Sequence, residues 1–145
     1  MRMLSKVFCM AILLILLPMA GQAQEALLED LFSQVFELHG LGRYSEATDR
    51  AKEALKVAED TFGQDHPNVA ISLNNLAYLY DCQGEYAQSG PLYKRALAIL
   101  EKALGPDHFR VGLVLSNMAE RCGKMGKRDE AERLKARAAK IRTNR

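Results

Sequence analysis

Apolar residues in the middle of the chain recur with a helical period. Between residues 67 and 82 they fall every three or four positions, which predicts one face of an amphipathic helix: Ala70, Leu73, Leu76, Ala77 and Tyr80. Asp65-His66-Pro67 precedes this stripe with a polar capping candidate and a first-turn proline, and Gly84 is expected to end the helix. A second apolar stripe runs from Tyr86 to Leu100. The region therefore predicts two helices joined by a tight turn.

The same pattern returns after 42 residues. Gly63-Gln64-Asp65-His66-Pro67 is followed 42 positions later by Gly105-Pro106-Asp107-His108-Phe109. The same shift relates further pairs: Val69 and Val111, Leu73 and Leu115, Asn75 and Asn117, Ala77 and Ala119. A fixed period of this size indicates a stack of supersecondary units. The sequence thus predicts an all-α solenoid of three helix-turn-helix repeats, six helices in all, over about residues 25–62, 67–104 and 109–142.

The first 23 residues have a different composition from the repeats. Arg2 and Lys6 precede an uninterrupted apolar run of 11 residues, 7–17, and Pro18 is expected to end a helix there. Gly21-Gln22-Ala23 then supplies small residues at both positions that a signal peptidase requires. A membrane anchor is the alternative, but 11 helical residues rise only ~16 Å against a hydrocarbon core of ~30 Å. The pattern predicts a signal peptide, residues 1–23, cleaved after Ala23, and a secreted or periplasmic domain of residues 24–145.

Charge is unevenly distributed along this expected mature domain. Its basic and acidic residues balance at 18 each, so overall charge indicates no nucleic-acid partner. Residues 24–120 nevertheless hold 8 basic and 15 acidic residues, whereas residues 121–145 hold 10 basic and 3 acidic ones. The basic end is interpreted as the solvated outer face that a solenoid needs. The alternatives are a docking surface for an acidic partner or anionic lipid, and head-to-tail association with the acidic part of another copy.

Sequence motifs of catalysis and of metal binding are missing. The chain has no Gly-rich phosphate loop, no Gly-x-Ser-x-Gly and no His-Glu-x-x-His segment. His66 and His108 would lie one helix-packing distance apart, ~8–10 Å, too far to share a zinc ion, so each Asp-His is interpreted as a capping turn. We therefore expect no metal, no cofactor and no enzymatic activity. Cys82 and Cys122 are expected to be free thiols, with a disulfide between them as the alternative.

The middle unit resembles the tetratricopeptide repeat in its long, 42-residue form, which occurs in kinesin light chains and many bacterial proteins. The resemblance rests on His66-Pro67-Asn68-Val69-Ala70, Leu73-Asn74-Asn75-Leu76-Ala77 and Gly84-Glu85-Tyr86, and it extends over about residues 28–142. It implies a right-handed superhelix whose first helices line a concave groove that binds a peptide or a partner's helix. The first unit departs from the pattern because it lacks the His-Pro opening and the paired asparagines. The third departs at Phe109, Ser116 and Arg128.

The resemblance also implies a set of groove residues. In long-repeat relatives the paired asparagines bind the backbone of the ligand, and the matching positions here are Asn74 and Asn75, with Asn117 and Ser33 as counterparts. An amide suits this role because it both donates and accepts, as a peptide bond does. The alternative is that these asparagines bond to neighbouring helices and set the stacking.

Helix geometry adds side chains to the same face. Tyr78 and Asp81 follow Asn74 by four and seven residues, and the repeat relates Tyr78 to Phe36 and Glu120. Phe36 and Phe32, one turn apart, would form an apolar pocket if they face the groove; core packing or capping is the alternative. The predicted function is a non-catalytic adaptor for a protein or peptide. The alternative is a structural subunit of an envelope complex, or an oligomer assembled through the basic C-terminal helix.

Overall fold

The backbone of residues 2–143 forms six helices in a computed structural model, which describes side chains from residue 21 to residue 143. The helices are α1 (Arg2–Gly40), α2 (Tyr44–Phe62), α3 (Pro67–Cys82), α4 (Tyr86–Leu104), α5 (Phe109–Lys124) and α6 (Arg128–Thr143). No strand is present among these residues. The predicted all-α class and the number of helices are confirmed.

Consecutive helices pack against each other along the whole chain. The pairs α1–α2, α3–α4 and α5–α6 are linked by contacts of α2 with α3 and of α4 with α5. The first helices of the second and third pairs, α3 and α5, also touch directly. Nearest-neighbour packing of this kind is the stack of helix pairs that the 42-residue period predicts.

The hydrophobic core repeats with the sequence. Leu31, Leu73 and Leu115 occupy the same position in the three units, and each is almost completely buried. They belong to one cluster that runs through all three pairs, with Tyr93 as its largest fully buried side chain. Ala54 and Ala96 are also fully buried, where their small side chains allow neighbouring helices to approach closely. A single pair could not bury this stripe by itself.

Glycines with positive φ mark every turn between helices. In the described residues they occur at intervals of 21: Gly42, Gly63, Gly84, Gly105 and Gly126. Gly63 and Gly105 join successive pairs with φ of 85° and 92° and ψ of 168° and 156°. Residues with a Cβ essentially never adopt this region, so these two turns depend on glycine.

Histidine caps the first helix of the second and third units. The Nδ1 of His66 accepts a hydrogen bond from the backbone N–H of Asn68 over 3.1 Å, and His108 does the same for Arg110 over 3.2 Å. The Asp-His capping turn is therefore present, with histidine as the capping residue. Asp65 instead pairs with Lys102 on α4 at 2.8 Å.

The N-terminal helix is longer than the sequence predicts. The expectation that Pro18 ends a helix is wrong, because α1 continues through it from Arg2 to Gly40. A proline removes one backbone donor, while the leucines and alanines around it favour helix. The side chains of most of the predicted signal peptide lie outside the described residues, and its cleavage stays a prediction. Within the described part of the chain, no helix is long and apolar enough to cross a membrane.

Candidate functional site

The first helices of the three pairs present a shared surface, which we call the inner surface. It is defined by three sets of repeat-equivalent positions on α1, α3 and α5: Glu29, Ile71 and Leu113; Ser33, Asn75 and Asn117; Phe36, Tyr78 and Glu120. Positions four and seven residues apart lie on one side of a helix, so each helix contributes one residue from every set. The direct contact between α3 and α5 makes the last two contributions continuous.

Two of the predicted groove asparagines bind each other. The Nδ2 of Asn117 on α5 donates to the Oδ1 of Asn74 on α3 over 2.9 Å. This bond connects the second and third units. For this pair the structure has the stacking arrangement that was the alternative to ligand binding.

Asn75 lies at the position equivalent to Asn117 but lacks the corresponding partner. The counterpart of Asn74 in the first unit is Phe32, whose side chain offers no acceptor. The half-buried Asn75 side chain makes no hydrogen bond to any residue that the structure describes. Its amide therefore has a donor and an acceptor available on the inner surface. Ser33, the first-unit counterpart, is exposed.

Aromatic side chains occupy the inner surface beside Asn75. Phe36 is 69% exposed, an unusual exposure for a large apolar residue. Phe32, one turn away, is half-buried against the main core, so the two rings do not form an open pocket together. The Tyr78 ring is half-buried and lies 5.4 Å from the His39 ring. Burial, followed by the nearby Cys82 and Glu120, raises the pKa of Tyr78 and keeps its hydroxyl protonated as a donor.

Asp81 lies beneath the inner surface, not on it. Its side chain is only 4% exposed, and its Oδ2 accepts a hydrogen bond from the hydroxyl of Tyr93 on α4 over 2.9 Å. Arg121 on α5 approaches the other carboxylate oxygen to 3.9 Å. The sequence placed Asp81 with Asn74 and Tyr78 on one helix face, but it could not show that α4 and α5 close over that end of α3. Asp81 therefore connects three helices in the interior.

The third unit adds groove residues that sequence reasoning missed. Leu113 is 57% exposed and precedes Asn117 by one turn, as Ile71 precedes Asn75. Lys124 pairs with the predicted site residue Glu120 at 2.7 Å. The repeat alignment contained the signal for Leu113, since the position four residues before each asparagine is apolar in both units.

The two cysteines of the repeats are unpaired. Cys82 is half-buried, with its Sγ 3.9 Å from the Nε2 of His39, and Cys122 is buried. Burial raises the pKa of both thiols, which favours the protonated and unreactive form. Among the described residues no group of three His, Cys, Asp or Glu side chains could hold a metal ion.

The open end of the stack carries a second concave feature, which we call the terminal groove. It lies between α5 and α6 and has a volume of about 1120 Å³. Apolar and small residues form its floor and cations border it; the members used below are Gly112, Leu113, Ala138, Lys124, Lys135 and Arg142. Part of the charge of α6 is neutralised locally, since Arg137 pairs with Glu101 and Lys135 pairs with Glu132.

Solved structures with this arrangement are repeat proteins. The crystal structure of BtubC (BKLC) from P. vanneervenii is 24% identical, with a TM-score of 0.71 over 77% of this chain and 44% of that one. A kinesin light chain from Podosopora anserina with nearly identical TPR-like repeats is 21% identical, with a TM-score of 0.73 over 80% of this chain and 55% of that one. The chain thus spans about half the length of these structures. Both likenesses concern the fold.

The family is established by sequence. No curated protein matches the chain. The sequence model described as Tetratricopeptide repeat matches residues 36–101 and 82–144, which together include α2 to α6 and the end of α1. With the 42-residue period, the six paired helices and the solved repeat proteins of the same shape, this match is decisive: the chain belongs to the tetratricopeptide repeat family.

Proposed function

We propose that the chain is a non-catalytic adaptor that binds an extended segment of a partner protein on the inner surface. Tetratricopeptide repeats generally serve as scaffolds for protein–protein interaction, and this proposal assigns that role to particular side chains here. The observation that carries it is Asn75, whose amide has no partner in the described chain and lies on a surface with exposed Phe36. A peptide backbone offers the complementary acceptor and donor.

The three helices would contribute differently to binding. Phe36 and Leu113 provide exposed apolar area at the two ends of the surface, and Tyr78 provides a protonated hydroxyl between them. Glu120 and Lys124 neutralise each other, so the surface favours a partner with apolar anchors over one that is strongly charged. Asn74 and Asn117 hold the second and third units in register, and they act on binding only through that geometry.

The proposal also places the adaptor outside the cytoplasm, secreted or periplasmic. It is supported by the basic start, the apolar run 7–17 and Gly21-Gln22-Ala23. The measurement is the N-terminal residue of the protein recovered from the host's envelope and medium. A chain that begins at Gln24 is expected; an intact Met1 in the soluble cytoplasmic fraction contradicts export.

Binding is tested by capturing partners on the tagged full chain and on two pairs of variants. Asn75→Ala is expected to lose the partner with unchanged helicity and thermal midpoint, because its amide makes no internal bond. Asn117→Ala is expected to lower the midpoint, because it breaks the bond to Asn74.

The matched control for the apolar contact is Leu41, which is 62% exposed in the turn after α1. Phe36→Ala is expected to weaken capture, and Leu41→Ala to leave it unchanged. Full retention of the partner by both Asn75→Ala and Phe36→Ala contradicts the assignment of the inner surface.

A further inference from the structure

Inside the stack, each groove between paired helices is filled by the first helix of the next pair. The α1–α2 groove receives α3, and the α3–α4 groove receives α5. The face of α3 that makes this contact is buried, and it consists of Val69, Ser72, Leu76 and Leu79. On α5 the equivalent face includes Val111 and Val114, both buried, and Arg121, which bonds to α4. The terminal groove between α5 and α6 has the same form with no helix of this chain in it.

The matching face at the other end of the molecule is also uncovered. The residues of α1 equivalent to Val69, Ser72, Leu76 and Leu79 are Leu27, Asp30, Gln34 and Glu37. Leu27 is 40% exposed, and both acidic residues are exposed. Residues 21–40 contain four acidic residues and no lysine or arginine.

At repeat-equivalent positions these two faces have exchanged neutral side chains for charges of opposite sign. Lys135 and Arg142 of α6 stand where α4 has the buried Tyr93 and Leu100. Asp30 and Glu37 of α1 stand where α3 has the buried Ser72 and Leu79. A solenoid end needs polarity for solubility, but solubility alone does not require opposite signs at the positions that would face each other.

We propose that the terminal groove binds α1 of a second copy of this chain, so that copies stack head to tail. Asp30 and Glu37 of the second copy meet Lys135 and Arg142 of the first, and Leu27 covers apolar floor near Leu113. The contact is heterologous, because the two surfaces differ, and each added copy again exposes a free terminal groove. This proposal is independent of partner binding on the inner surface.

The internal junction predicts which residues approach across the contact between copies. Asn117 reaches Asn74 between the second and third units, and the same two positions in the proposed contact are Ser33 of one copy and Ser116 of the other. Both serines are exposed in the single chain. The proposal therefore predicts a specific pair of neighbouring side chains.

The first experiment measures the mass of the full chain against concentration by analytical ultracentrifugation, with two charge-reversed chains. One carries Lys135→Glu and Arg142→Glu, and the other carries Asp30→Lys and Glu37→Lys. The unmodified chain is expected to associate, more weakly in high salt because the exposed charges are screened. Each reversed chain alone is expected to associate at least about tenfold more weakly, and an equimolar mixture to regain association.

Charge reversal also separates this contact from association through the apolar run 7–17, which it leaves intact. All four substituted residues are exposed, so the fold is expected to persist, and helicity by circular dichroism checks it. A chain that stays monomeric at low salt overturns the proposal, as does association that neither reversed chain weakens. Binding to anionic vesicles or to an acidic helical peptide, lost in Lys135→Glu/Arg142→Glu but without self-association, also overturns it.

The second experiment traps the predicted neighbours. Full chains with Cys9, Cys82 and Cys122 replaced by alanine carry either Ser33→Cys or Ser116→Cys and are mixed under mild oxidation. A disulfide-linked heterodimer is expected from this mixture. The matched control replaces Ser33→Cys with Ser45→Cys, an exposed serine at the start of α2. Equal cross-linking in both mixtures contradicts the predicted register. Asn75→Ala is expected to self-associate normally, so failure here and failure of the proposed function are distinguishable.

Discussion

The guanidinium of Arg121 on α5 lies directly over Gly90 on α4. A Cβ added at Gly90 would lie 2.8 Å from Nη2 of Arg121. From this position Arg121 donates to the backbone oxygen of Tyr86 over 2.8 Å and to the Oγ of Ser89 over 3.0 Å. The absence of a side chain at Gly90 thus allows a charged residue to join the second and third units.

Gly90→Ala is therefore expected to destabilise the protein despite the better helix propensity of alanine. Alanine gains about 1 kcal/mol over glycine in a helix interior. Displacing Arg121 loses hydrogen bonds of a charged group, each about 1.5–3 kcal/mol. We expect a net loss of about 1 kcal/mol in the free energy of unfolding, measured by urea denaturation. Gly123→Ala is the matched control, because a Cβ there meets nothing within 4 Å, and it should be stabilising.

Tyr93→Phe is expected to lower the free energy of unfolding by about 2 kcal/mol, because it removes the donor to a buried carboxylate. The Oδ1 of Asp81 already lacks a hydrogen-bond partner in the described chain, so the variant would leave both oxygens without one. Urea denaturation of both single variants and of Tyr93→Phe/Asp81→Ala gives the coupling. Tyr80→Phe serves as the control on a half-buried ring. Equal effects of the two phenylalanine substitutions would show that the Tyr93–Asp81 bond contributes little.

His66→Ala is expected to lower stability by about 1 kcal/mol through loss of the helix cap. The His66 ring also stacks on Phe62 at 4.5 Å between ring centroids. Asn is a good capping residue but cannot stack, so His66→Asn separates the two contributions. A thermal midpoint for His66→Asn close to that of the unmodified protein would assign the effect to the cap, and a midpoint close to that of His66→Ala would assign it to the ring.

Stability is expected to fall in alkaline solution because burial raises the pKa of Cys122 above its usual value near 9.0. Below that value both folded and unfolded chains hold the proton, and the contribution is fully present. As pH rises above about 9 the unfolded chain releases the proton first, so unfolding is favoured until the folded thiol also titrates. Urea unfolding between pH 7 and 10.5 measures this decline. Cys122→Ala should reduce its slope; an unchanged slope would show that other groups cause it.

Much of the fold follows from the sequence because the period connects buried positions directly. The 42-residue shift alone aligns Leu31, Leu73 and Leu115, and all three are in the core. The alignment also identified the turn glycines. It failed at Pro18, where local helix propensity outweighs one missing backbone donor.

The candidate site was less predictable, because it depends on what faces each residue from the neighbouring unit. Asn75 and Asn117 are equivalent by sequence, yet Asn117 has Asn74 across from it, whereas Asn75 has Phe32 at the corresponding position. Likewise, helix geometry placed Asp81 on the face of Tyr78, but only the packing of α4 and α5 shows that it is enclosed. Such differences arise between repeats, where the period carries no information.

The 21-residue spacing of the turn glycines defines how this chain can change its length. A segment exchanged between Gly63 and Gly105 contains one complete helix pair and begins and ends in the same backbone conformation. Such a segment can be duplicated or deleted without a new type of turn, whereas a shorter insertion shifts every later helix out of register with its neighbour. Growth by whole cassettes is therefore the route along which a protein of this design lengthens its binding surface.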